Sequence, residues 1–178
     1  MRSLANFILF QLGWCVAVFY PGMLSALASL LIVALHLALI SAFPLRELRF
    51  VIMVTVLGSV LDVIHRITGV LAFPNYEAAY SEGMIPLWLV MLWAVFATAV
   101  NHCLYWMRNN RVILFGMPPF AGALAYYSAA QFGAIEIGHG LLGVVAIGIG
   151  WGLVYPLMVR ISTWLESIEE VPLVEQRW

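Results

Sequence analysis

The chain has 178 residues, 64% of them hydrophobic and 10% charged, with a mean hydropathy of +1.00. A soluble domain carries roughly 45–50% apolar and about 25% charged residues, so a water-soluble globule is excluded and lipid is the expected solvent for most of the surface. The formal net charge of −1 leaves no basic surface for a phosphate backbone, which excludes nucleic acid as a partner. Every basic residue is Arg, so lysine Schiff-base chemistry is excluded as well.

A bilayer span takes about 20 mostly apolar residues. Six apolar stretches, at about 4–20, 22–43, 49–72, 84–107, 111–133 and 138–160, predict an all-α integral membrane domain over residues 1–163. Asn6 and Gln11 interrupt the first stretch and no A-x-A-like site precedes Pro21, so it reads as a retained helix rather than a cleaved signal peptide. Tyr20-Pro21-Gly22 turns the chain into the second stretch, and Pro44 to Arg49 reads as the polar connection to the third. Pro74 to Gly83 leads into the fourth, Arg108 to Arg111 into the fifth, and a short joint around Glu136 and Gly138 into the sixth.

The arginines set the expected orientation. Arg2, Arg46, Arg49, Arg108, Arg111, Arg160 and Arg177 fall on one side, and the intervening connections carry only Glu77, Glu82 and Glu136. The positive-inside rule then places both termini on the cytoplasmic side. Residues 164–178 form an acidic tail with Glu166, Glu169, Glu170 and Glu175. Trp164, Leu165, Ile168 and Val171 at helical spacing predict a short helix there, lying on the cytoplasmic surface.

Polar residues at membrane depth are costly unless partnered or facing a cavity, so they are the candidate functional groups. At about 1.5 Å per residue, Gln11, His36, Asn101, His102 and Tyr155 are expected in one layer near the cytoplasmic third of the bilayer. His36 and His102 are candidate acid–base groups, and Gln11, Asn101 and Tyr155 are candidate substrate-binding groups. Two histidines with a carboxylate could bind a metal, but the nearest carboxylate is expected at another depth, so no metal ligands are assigned and the cofactor is unknown. Asp62, the one aspartate, is expected deeper, as a catalytic auxiliary or proton carrier or in an intrahelical pair with Arg66. Pro118-Pro119 frees carbonyls near Leu114 and Phe115 and marks a break or kink in the fifth helix. Glu136 and His139 stand i to i+3 at the outer rim. Cys15 and Cys103 read as isolated thiols. Gly148 and Gly152 form a close-packing face, inside the bundle or in a homodimer.

Asn6-Phe7, Phe10-Gln11-x-Gly13-Trp14, His36, Asp62, Pro86-x-Trp88 and Phe96-Ala97-Thr98-x-x-Asn101-His102-x-Leu104-x-Trp106 resemble one bacterial family of small inner-membrane proteins. Gly122, Ala125-Tyr126 and Gly133-Ala134 extend the likeness along nearly the whole chain. The family is the domain of unknown function 2878. The resemblance implies a fold and no chemistry. It does not extend to His65 and Arg66, nor to Met117-Pro118-Pro119, where the family pattern has a further glycine.

Function therefore rests on the residues. The first expectation is a membrane enzyme acting on a lipid or other apolar molecule, with His102, His36 and Asp62 as catalytic groups. A proton-coupled transporter using Asp62 is the second, and an accessory protein whose polar groups only fasten helices is the third. No serine-hydrolase elbow, zinc-protease motif or phosphate loop is present in the sequence.

Overall fold

A computed structural model of the protein describes residues 2–73 and 84–170. Six α-helices run through them: α1 (Arg2–Phe19), α2 (Met23–Leu39), α3 (Pro44–Ile67), α4 (Leu87–Val100), α5 (Arg111–Gln131) and α6 (Leu141–Glu170). Two-residue strands β1 (Leu71–Ala72) and β2 (Glu136–Ile137) pair antiparallel at one end of the bundle. The protein is all-α apart from this clip. Helices α1, α3, α5 and the Leu141–Ile168 part of α6 are long and apolar enough to cross a membrane, the mark of a membrane protein. The connection with Glu77, Tyr80 and Glu82, and the tail with Val171, Glu175 and Arg177, lie outside the described residues.

Helix α4 is the axis of the bundle. Trp88, Leu89, Trp93 and the run Ala97–Val100 are all buried, because α1, α2 and α3 pack around it while α6 bridges from α3 to α5. The outer face is the reverse of a soluble protein's: Leu24, Val112, Phe120 and Leu141 are each at least 72% exposed. Apolar surface of that extent is stable against lipid and costly against water.

Three boundaries differ from the expectation. Helix α3 begins at Pro44, with Pro at its first position; the ring's fixed φ and missing N–H suit that place, so Pro44–Arg49 is the first turn of a helix and not a connection. Helix α4 ends at Val100, and a turn and a 3₁₀ helix (Tyr105–Asn109) replace the last third of the expected fourth stretch. Helix α6 runs unbroken to Glu170, about 45 Å, so the tail's first residues continue the sixth helix instead of forming a separate one.

Close packing depends on glycines that receive aromatic rings. A Cβ on Gly58 would overlap the Trp93 ring, and one on Gly122 would overlap Trp151. The two indoles stack with centroids 4.9 Å apart. Gly148 and Gly152 pack on Pro119 within the chain, so the face weighed for a homodimer is occupied by α5. Helix α5 stays continuous through Pro118 and Pro119. At the end of α3, Gly69 adopts φ 73°; its N–H bonds Arg66 O and the Val70 N–H bonds His65 O, closing the helix as a Schellman motif.

Gly122→Ala should lower unfolding stability by about 1–3 kcal/mol, the usual overpacking cost. Gly116→Ala, where nothing lies within 4 Å of an added Cβ, should be neutral or slightly stabilising. Denaturant titration of both variants in the same detergent checks the contrast.

Candidate functional site

The site begins with Asn6 in α1, which is fully buried. Its Oδ1 accepts from the backbone N–H of Cys103 at 3.2 Å, and its Nδ2 donates to the Thr98 carbonyl at 3.2 Å. One partner can only donate and the other can only accept, so together they fix which way the amide faces. Nδ2 also lies 3.1 Å from Nδ1 of His36 in α2. That ring nitrogen must therefore accept, and the proton of neutral His36 resides on Nε2.

His36 Nε2 points 2.7 Å from Oε1 of Glu47. His102 Nε2 reaches the same oxygen at 2.8 Å. The two imidazoles meet edge to face with centroids 4.6 Å apart. Glu47 sits in the first turn of α3, where the helix's positive end favours a carboxylate. His102 lies in the turn after α4, where its own N–H and that of Leu104 both bond Ala99 O. Burial is graded through the cluster: the side chains of His36 and Glu47 are 0% and 8% exposed, and that of His102 is 18% exposed. The row Asn6–His36–Glu47–His102 thus leads from the interior to a single accessible imidazole.

Two histidines and a carboxylate are also a candidate cation set, with one ligand atom from each within 4.8 Å of the others. The donor set argues for proton sharing instead. A neutral imidazole that binds a metal through Nε2 carries its proton on Nδ1 and gives it to an acceptor. Here Nδ1 of His36 faces the N–H of Asn6, whose amide is held in place by Cys103 and Thr98.

Asp62 forms a separate centre. Fully buried in α3, it accepts from Trp93 Nε1 at 2.6 Å and from Tyr126 Oη at 2.7 Å. His65 Nδ1 stands 3.9 Å away. Each carboxylate oxygen is thus matched by a donor from a neighbouring helix, and Arg66 lies over the Phe73 ring at 5.3 Å. The expected intrahelical pair gives way because tertiary donors already satisfy both carboxylate oxygens.

The other expected site residues disperse. Gln11 is exposed on the surface of α1. Asn101 belongs to a third polar group, in which its Oδ1 accepts from Ser162 Oγ at 2.8 Å and from the Arg108 guanidinium. Arg108 also reaches Ser162 at 2.8 Å and Glu166 at 3.5 Å, tying the 101–109 segment to α6. Tyr155 Oη donates to Met107 Sδ at 3.4 Å. His139, at φ 60°, lies 3.2 Å through Nε2 from Thr68 O, while Glu136 is exposed in β2.

Glu47, Asn6 and Thr98 were missed. Glu47 falls in the expected polar connection, although Pro44 three residues earlier is a helix-start signal that places it in the first turn of a helix, on the same side as His36. Asn6 enters the sequence reading as an interruption of an apolar run and as part of the family resemblance, and not as a site group.

Fold and site together define a membrane protein with a buried, directed histidine–carboxylate hydrogen-bond chain. The family described as "Protein of unknown function (DUF2878)" matches residues 3–157, and the chain belongs to that family. The match includes all four members of the hydrogen-bond row and Asp62 with its two donors. No curated protein and no solved structure matches the chain.

Asn6→Leu should cost about 2 kcal/mol or more, since it strands buried donors and acceptors on three segments. Gln11→Leu, on the exposed face, should stay within about 0.5 kcal/mol of wild type. Thermal unfolding of the purified variants, followed by helical circular dichroism, separates the two.

Proposed function

We propose that this protein is a membrane enzyme that performs acid–base chemistry on a lipid or other apolar substrate, with His102 as the proton-transferring group. The observation that carries the proposal is the convergence of both histidine Nε2 atoms on one Glu47 oxygen, with His102 the most exposed of the three side chains. Glu47 accepts the Nε2 proton of His102 and leaves Nδ1 with its lone pair free. A substrate proton moves to Nδ1, Glu47 stabilises the imidazolium that results, and the same proton returns to the product. The carboxylate orients the base as in other carboxylate–imidazole pairs, and Asn6 and His36 are positioning residues behind it.

The proposed setting is a bacterial inner membrane crossed six times, with both termini in the cytoplasm. The arginine distribution supports that orientation. Helices α2 and α4 have 17 and 14 residues, short of the usual span. For α4, the turn and 3₁₀ helix at its arginine-bearing end supply the remaining length. His102 then lies on the cytoplasmic side, where a substrate can enter sideways from the inner leaflet. A proton-carrier role for Asp62 draws less support, because both its oxygens already accept hydrogen bonds from fixed donors.

The test is the lipid profile of a strain lacking the protein, complemented at matched membrane levels. A lipid species that is lost or accumulates should be restored by wild type and not by His102→Ala, with Glu47→Gln at least tenfold less effective. Full restoration by His102→Ala would overturn the acid–base reading and leave the cluster a helix fastener. A lipid profile that is the same with and without the protein would overturn the lipid-substrate reading.

A further inference from the structure

Helices α1, α4, α5 and α6, with the turn after α4, line a partly open cavity of about 270 Å³ that lies beside the polar centres and uses none of their charges. We propose that it receives about ten carbons of a lipid hydrocarbon chain and so forms the tail subsite of the His102 centre. The inference rests on that reading of His102.

Four observations carry it. No charged residue lines the cavity. Trp14 apart, the polar atoms of its aromatic wall are turned away or covered. Trp93 and Tyr126 give their donors to Asp62, and Tyr155 gives its own to Met107. The Nε1 atoms of Trp88 and Trp151 are buried with no partner. The wall thus offers carbon to an occupant, whereas a buried water needs two to four polar partners.

The volume sets the size. An apolar cavity of about 150 Å³ stays dry and takes up benzene; scaling by volume gives about ten carbons here. That is too little for a whole lipid and suits one segment of its chain. The wall is also built rather than incidental, since Gly58 and Gly122 exist in the packing as the seats of the Trp93 and Trp151 rings that form it.

Continuity with the acid–base group comes from one turn. Leu104 lines the cavity and is two residues, at most about 7.6 Å between Cα atoms, from His102. The turn that sets His102 on Glu47 also sets Leu104 into the cavity wall. A chain whose polar end lies at the Leu104 end of the cavity would reach the turn that carries His102.

Photocrosslinking of the full-length protein in nanodiscs tests this. The probes are a straight acyl chain with a diazirine near its tenth carbon and an isoprenyl chain of similar length. Label from one or both should concentrate on the α4, α5 and α6 peptides of the wall, and which probe labels identifies the source of the chain. Ala125→Phe, which fills the cavity, should reduce that label about tenfold; Leu92→Trp from the opposite wall guards against a folding defect in the first variant. Excess unlabelled decyl chain should compete. Label that spreads over the outward Leu24 and Phe120 surfaces, or that neither filling variant reduces, would overturn the proposal. In His102→Ala the label should persist, so a lost lipid phenotype and a lost tail subsite are told apart.

Discussion

A side-chain amide that cannot rotate governs the polar interior of this protein. Asn6 is held at one end by a backbone donor and at the other by a backbone acceptor, and through His36 it dictates where the next proton lies. In a low-dielectric interior such a choice is stable, because the alternative would place donor against donor with no water to intervene. The consequence passes to Glu47 and then to His102. Asn6 also joins α1 to the end of α4, and His36 with Glu47 joins α2 to α3, so the same bonds that set the proton's place fasten four segments.

Asp62 shows a different solution to the same cost. A charge buried at membrane depth is sustained when hydrogen-bond donors are aimed at it. Trp93 and Tyr126 meet that need and are drawn into fixed orientations by it. Both rings then stand with their polar ends toward the carboxylate, and both contribute carbon to the cavity wall. Polar satisfaction in α3 thereby produces an apolar surface between α4 and α5.

The 101–109 segment explains why neighbouring residues serve different centres. Backbone that leaves a helix inside a packed bundle must find partners for its polar groups, and here Asn6 takes the freed N–H of Cys103. The turn sends His102 to Glu47, Leu104 to the cavity and Asn101 to Arg108 and Ser162. Adjacent residues face apart even in a regular helix, so depth along the chain was a poor guide to which side chains meet.

Composition and hydropathy by themselves determined the all-α membrane class, the approximate places of six helices and the pairing of unusual cost with His36, Asp62 and His102. These are properties of single residues and of local runs, which a sequence states directly. Tertiary structure alone decided the partners: that Glu47 stands between the histidines, that Asp62 is satisfied by Trp93 and Tyr126, that Gln11 faces outward, and that Gly148 and Gly152 are covered by Pro119. Each depends on the rotation of one helix against another. A uniformly apolar helix has only a weak amphipathic period to reveal that rotation, and in α4, where nearly every residue is apolar, the inward and outward faces differ in packing and scarcely in composition.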